Sequence, residues 1–255
     1  MLVLGIETST PVSSVAIGSE QGVVASMTLA RGRGHEEFLA PAIRYLCEQS
    51  GVSLDQLAGI AVGVGPGLFT GMRVGIATGK GLAQALSVPM VGLPSLDLLA
   101  FGVRYTSRLI CACIDARRKE VFSAFYRQVP GGVQRISDYH VEPPERLASE
   151  LDYHGTDVLF VGNGALVYRD TLKRGRAEFA AVSRAFPSAN ALVELALPRF
   201  TREETDSLHE LEPLYLRKAD VTIGWETRGV MGIPPGATAR TMGGRPPAGP
   251  SKGNG

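Results

Sequence analysis

The sequence predicts an α/β fold of two repeated halves, each built as βββαβα with mixed sheets. Three observations carry this. The order of three short strands, a helix, a strand and a helix occurs over residues 1–104 and again over 105–205. The first half is centred on a buried strand that breaks at Gly65-Pro66-Gly67 and continues as a helix. Finally, 44% of the 255 residues are hydrophobic, enough for a sizeable core, while no run of about 18 apolar residues offers a membrane span. The repeat lies in the pattern of elements, without a residue-level repeat.

In the first half, residues 2–6 form an apolar strand ending at the polar turn Glu7-Thr8-Ser9-Thr10-Pro11. Stretches 13–17 and 23–29 read as strands joined by a hairpin over 18–22. A helix over 35–50 follows from the 3.6-residue period of Phe38, Ala42 and Leu46 with their neighbours Ile43 and Cys47. Pro41 inside it predicts either a restart or a kink. Residues 57–64, with Ile60, Val62 and Val64, read as the central strand. Thr70 is the predicted N-cap of the next helix, which runs to about Leu86.

That helix carries Gly71, Gly75 and Gly79 every four residues and so on one face. A mid-helix glycine costs roughly 1 kcal/mol relative to alanine, so close packing must offset it. Two readings stay open: the face sits on the chain's own elements, or it receives a helix from a partner. Strand, glycine turn and helix start also place backbone N–H groups where an anion could be met. A strand over 90–93 and a helix over 95–103 complete the half.

The second half opens with strands 108–115 and 120–128 around the charged turn Ala116-Arg117-Arg118-Lys119. Gly131-Gly132 marks a hairpin into a strand near 133–141. A helix over 143–151, a strand over 158–162, a helix over 165–172 and a long helix over about 190–203 follow. The predicted division is a first lobe at 1–104 and a second at 105–219, with the long helix packing back toward the first. Of the last 36 residues 14 are Gly or Pro, which predicts a disordered tail over 220–255 holding the single tryptophan, Trp225.

Several chemistries are excluded. A net charge of +1 provides no global field for nucleic acid or membrane. The three cysteines, Cys47, Cys111 and Cys113, lack C-x-x-C pairing and point to reduced thiols in a cytoplasmic protein. Residues 1–6 have no basic n-region, so no signal peptide is expected. Gly63-x-Gly65 lacks the acid that a dinucleotide site needs about 20 positions on, there being no Asp or Glu between Asp55 and Asp97. Lys80 lies between Gly79 and Gly81 inside a helix and makes no Walker motif. Leu39 stands where a zinc helix starting at His35 needs its second ligand, and His35, His140, His154 and His209 have no metal spacing. Ser9, Ser95 and the cysteines lack a nucleophile elbow.

Five separated motifs resemble one family. These are Gly5-Ile6-Glu7-Thr8-Ser9-Thr10, the run 62–75 around Gly65-Pro66-Gly67, Val88-Pro89-Met90-Val91-Gly92, the run 115–122 beginning Asp115-Ala116-Arg117-Arg118, and Pro213-Leu214-Tyr215-Leu216-Arg217. Over roughly 1–217 the chain resembles the bacterial TsaB (YeaZ) family. The resemblance implies the actin/Hsp70-like (ASKHA) two-lobed fold. It also implies a cytoplasmic, non-catalytic subunit in the making of threonylcarbamoyladenosine beside the anticodon of tRNAs that read A-starting codons. The implied partners are TsaD, the metal-bearing transferase, and TsaE, an ATPase, with tRNA met only through the complex.

TsaD-like chains carry a metal-binding His-x-x-x-His after the segment matching Val88-Pro89, where this chain has Ser95 and Leu99. No cofactor of its own is therefore expected; metal belongs to the partner, and ATP to the interface of the complex. The family pairs through helices matching 35–50 and 70–86. This makes Phe38, Ala42, Tyr45, Leu46, Gly71, Gly75, Thr78, Gly79 and Leu82 the expected partner contacts, and the isolated chain would form homodimers that mimic the pair. Glu7, Thr8, Ser9, Gly65, Gly67 and Arg73 are the expected contacts for a nucleotide or other anion. The alternative from another class is an independent actin-like ATPase or small-molecule kinase.

Overall fold

The computed structural model describes residues 1–32, 34–154 and 157–217, the side chains of 152–154 excepted. The predicted tail over 220–255, with Trp225, lies outside the described residues. The elements run β1 (Leu2–Glu7), β2 (Ser13–Ser19), β3 (Gly22–Leu29), α1 (His35–Ser50), β4 (Leu57–Gly65), α2 (Phe69–Leu86), β5 (Met90–Pro94) and α3 (Ser95–Phe101). They continue with β6 (Leu109–Arg117), β7 (Glu120–Val129), β8 (Gly132–Arg135), β9 (His140–Glu142), α4 (Pro144–His154), β10 (Val158–Val161), α5 (Asn163–Val167), α6 (Arg169–Leu172), β11 (Ala177–Phe179) and α7 (Ala189–Thr201).

The first sheet has the order β3-β2-β1-β4-β5, and the second β11-β10-β6-β7-β8 with β9 also beside β7. In each, a central strand (β1 or β6) is antiparallel to its hairpin partner on one side and parallel to a crossover strand on the other. With β6 in the place of β1, the second sheet repeats the order of the first. This is the duplicated mixed sheet of the actin/Hsp70-like (ASKHA) fold. Both sheets belong to one compact unit, Met1–Lys218.

Alternation along β1 shows why the first sheet is covered on both faces. Leu4 and Ile6 meet α1 and α2 in a core with Phe38, Leu39, Ile43, Leu46, Ile76 and Ala83. Val3 faces the other way, with Ala16, Ala61 and Val91, against Leu192, Val193, Ala196 and Phe200 of α7. At Gly5 a Cβ would stand 2.9 Å from Val193 Cγ2, so glycine sets how close α7 comes. Ser188 caps α7 by accepting from Ala191 N–H at 3.3 Å. No helix among the described residues is long and apolar enough to cross a membrane.

Three local expectations change, and of the two alternatives at Pro41 the restart is removed. Thr70 is not the N-cap; α2 begins at Phe69 after Leu68, without a side-chain cap, and Leu68 N–H donates instead to Ser9 O at 2.6 Å. α1 does not restart at Pro41 but runs through it, the proline lying on the exposed face. The strand expected near 133–141 divides into β8 and β9, because Ser137 Oγ takes the Phe125 N–H at 2.9 Å where a ladder carbonyl would. The helix expected over 165–172 is two short helices, α5 and α6. The strand β11, parallel to β10, had no expectation; three residues are too few to show a period.

The glycine face of α2 lies on the chain's own sheet. A Cβ at Gly71 would collide with Thr8 O, at Gly75 with Thr8 Oγ1, and at Gly79 with Val62 Cγ1. Gly81, on the opposite side, has nothing within 4 Å. Gly81→Ala is therefore expected to stabilise by about 1 kcal/mol through helix propensity alone. Gly75→Ala should destabilise by about 1–3 kcal/mol through overpacking. Urea melts of the two variants check this, and a Gly75→Ala protein as stable as wild type would refute the packing.

Candidate functional site

The β1–β2 turn carries Glu7, Thr8 and Ser9, three of the expected anion contacts, and it is filled from within. Glu7, Thr8 and Ser9 are fully buried. The Glu7 carboxylate points inward, accepting Ser9 N–H at 2.7 Å and the Ser95 hydroxyl at 3.1 Å. Its room comes from Gly63, where a Cβ would collide with Glu7 Oε2. Thr8 Oγ1 donates to Gly71 O at 2.8 Å, and a Cβ at Gly67 would collide with Ser9 O. Burial raises the pKa of Glu7 above its ordinary 4.5, with the bonds from Ser9 and Ser95 offsetting part of the rise.

These residues do not fit a bound phosphate. The first turn of α2 rests on the carbonyl oxygens of Thr8 and Ser9, so an anion there would meet oxygens and the Glu7 carboxylate rather than N–H donors. This corrects the expected anion contacts: Glu7, Thr8, Ser9 and Gly65 are buried, Gly67 is half-buried, and only Arg73 is exposed. Ser95 and Leu99 also have structural work. Ser95 bonds Glu7, and Leu99 packs in the second core with Leu96, Ile114 and Val161. Buried His35 pairs its Nδ1 with Ser13 Oγ at 2.6 Å, and burial lowers its pKa. Among the described residues no group of His, Cys, Asp or Glu is placed to hold a metal ion.

The equivalent turn of the second sheet joins β6 to β7 and is shaped differently. Arg117, Arg118 and Lys119 all adopt left-handed backbone, with φ of 62°, 55° and 60°. Each non-glycine residue there costs roughly 1–2 kcal/mol. Asp115, buried behind them, accepts Arg117 N–H at 2.9 Å and lies 3.3 Å from the Arg117 guanidinium. Asn163 Oδ1 accepts Asp115 N–H at 3.3 Å, and Arg217 pairs with Glu120 while donating to Ala116 O at 3.4 Å. The turn therefore holds a conformation suited to glycine while presenting three exposed cationic side chains.

On the helix pair α1/α2, the nine expected partner contacts divide sharply. Gly71, Gly75 and Gly79 lie on the sheet, which takes them away from the outer surface, while Leu46 is buried in the core beneath α1 and Phe38 and Ala42 are buried there but also line a groove between α1 and β3. Periodicity had identified the stripe that fastens each helix to its own sheet. Tyr45 is 50% exposed, and Thr78 and Leu82 are half-buried on the outer side. Sequence reasoning missed a second small stripe on that outer side: Ala77, Gly81 and Ala85 are all exposed and recur every four residues. Between α1 and β3 lies a groove of about 420 Å³ lined by Met27, Leu29, Phe38, Pro41, Ala42 and Tyr45 among others.

A cluster at the start of α2 was also missed. Arg73 Nε–H donates to Tyr215 OH at 2.8 Å, its guanidinium lies 3.7 Å over the Phe69 ring, and the two rings are 5.3 Å apart. Leu214 N–H donates to Val64 O at 2.8 Å, seating this C-terminal segment along the end of the first sheet. Arg73 and Tyr215 are 142 positions apart, so only the fold brings them together. Farther along, Asp97 of α3 accepts both Tyr126 OH at 2.7 Å and Tyr139 OH at 2.8 Å, tying α3 to the second sheet.

The family model described as "TsaD: tRNA N6-adenosine threonylcarbamoyltransferase" matches residues 17–225. The tRNA threonylcarbamoyladenosine biosynthesis protein TsaB of Escherichia coli (strain K12) is 29% identical over 89% of this chain and 97% of its own. Its counterpart in Bacillus subtilis (strain 168) is also 29% identical, over 88% of this chain and 98% of its own. The solved structure of YeaZ from Pseudomonas aeruginosa superposes with a TM-score of 0.74 at 32% identity, covering 84% of this chain and 99% of that one.

The buried carboxylate predicts a pH signature. Because the folded pKa of Glu7 is raised, its contribution to stability is fully present below the unfolded value near 4.5 and is lost as pH rises through the folded pKa. Glu7→Gln has no such loss. Urea stability of wild type relative to Glu7→Gln should therefore be highest in acid and fall as pH rises above 4.5. A difference that stays constant with pH would show that burial does not raise the Glu7 pKa.

Proposed function

The chain belongs to the TsaB/YeaZ family, and we propose that it is a non-catalytic subunit in the synthesis of threonylcarbamoyladenosine on tRNA. In this reading it pairs with a TsaD-type transferase, and TsaE joins the pair. The modified adenosine lies next to the anticodon of tRNAs that read A-starting codons. The observation carrying the proposal is the closure of the phosphate turn by α2: the helix that would cradle a ligand is spent on Thr8 and Ser9. The same closure weighs against the alternative of an independent ATPase or small-molecule kinase. Metal belongs to the partner, and ATP at the shared interface would be held from the partner's side.

The pairing surface in this reading is the outer side of α1 and α2. The exposed stripe Ala77, Gly81 and Ala85, with Thr78 beside it, lets a partner helix approach closely, while Tyr45 and Leu82 add apolar area. A second copy could occupy the same surface when the partner is missing, giving a homodimer.

Gly81→Leu tests this against the body of the chain. The side chain enters open space in the monomer and improves helix propensity, so the melting temperature should be at or above that of wild type. Binding to the cognate TsaD-type protein should weaken by about 1–3 kcal/mol, roughly 5- to 150-fold in Kd. Titration calorimetry on the purified pair reads this directly. Wild-type affinity in the variant would remove this face from the interface.

A further inference from the structure

We propose that a strip running from the start of α2 to the β6–β7 turn binds single-stranded RNA directly. The segment from Tyr215 to Arg217 joins its two ends. At one end Arg73 lies against Phe69 and Tyr215, whose rings are about 40% exposed. Two residues beyond Tyr215, Arg217 reaches Ala116 and Glu120, at the base of the turn that carries Arg117, Arg118 and Lys119. Two exposed rings with Arg73 thus stand at one end and the cationic turn at the other, with Arg217 linking the two. Of the carboxylates at the turn, Asp115 is held by Arg117 and Glu120 by Arg217.

The backbone of the turn supplies the second argument. Three successive left-handed positions favour glycine or asparagine, yet they hold two arginines and a lysine. A hairpin selected for stability alone would relieve that strain, and strain kept at an exposed charged tip is the mark of side chains with a task. Phosphates suit the guanidinium and ammonium groups, and unstacked bases suit exposed rings beside a guanidinium. An acidic protein segment would use the cations and leave the rings idle. The inference uses the proposed role in tRNA modification only to choose the probe, and it places RNA contact on this chain itself rather than on its partners alone.

The test is fluorescence anisotropy of the full isolated chain with an unmodified anticodon stem-loop RNA, titrated at several salt concentrations. Arg118→Gly/Lys119→Gly should keep a cooperative melt, because glycine suits the left-handed backbone of these positions, and should bind roughly tenfold more weakly. Its salt slope should fall by roughly 1–2, the loss of two phosphate contacts. Phe69→Ala should weaken binding without changing the salt slope, and Arg118→Lys should keep most of the affinity. Unchanged RNA affinity in the glycine variant overturns the proposal, including the case where binding to an acidic protein partner is lost instead. Equal affinity for a fully double-stranded RNA overturns it as well. Pairing of the Gly81→Leu variant is read separately, so failure here leaves the proposed subunit role to its own test.

Discussion

The contact on which the rest of the structure depends is the seating of α2 on the β1–β2 turn and β4. Three mid-helix glycines cost the helix roughly 3 kcal/mol relative to alanine. What offsets it is visible in the contact: Thr8 donates to Gly71 O, Leu68 donates to Ser9 O, and Ile76 and Ala83 are buried with the sheet. The helix is thereby held at backbone-to-backbone distance. The turn beneath it loses its cavity, and Glu7 is sealed in with Ser95 as a hydrogen-bond partner from α3. One helix position thus fixes both the burial of a carboxylate and the loss of a phosphate cradle.

The equivalent turns of the two halves are shaped by different physics. In the first half, absent side chains let a helix close over the turn. In the second, bulky side chains occupy a turn whose left-handed backbone would suit glycine, and Asp115 with Asn163 holds it in place. The repeated topology therefore does not carry a repeated site. The first turn is inaccessible, whereas the second is exposed and cationic.

Element order was legible because the apolar periods are strong: the limits of α1 match the expected 35–50, and the central strand gains only Gly65. The sidedness of α2 was harder to read. Residues 71, 75 and 79 and residues 77, 81 and 85 are both small sets at four-residue spacing, so small size alone does not say which set faces inward. The discriminating signal was present in their neighbours. Met72, Ile76 and Ala83 flank the first set and are buried, while Arg73 and Gln84 flank the second and are exposed. The inward turn of Glu7 was not legible, since its partners at 63 and 95 are far off in sequence and a local reading sees only a polar loop. Thr70 failed as a cap for a similar reason: the group that bonds the entry to the helix is Ser9, some 60 positions earlier.

A helix moves as a rigid body over its own length, so the inner and outer sides of α2 cannot be set independently. Reopening the turn to a phosphate would require the helix to retreat until N–H groups replaced the Thr8 and Ser9 carbonyls at its start. That retreat would carry Ala77, Gly81 and Ala85 outward by the same distance. A surface whose use depends on close approach of a second helix responds to shifts well under the width of a side chain. The outer stripe is therefore presented at a position fixed by the closure inside. In the proposed pairing, closure of the turn and the position of the outer face are in this sense one property of the fold, and the three glycines are where the sequence encodes it.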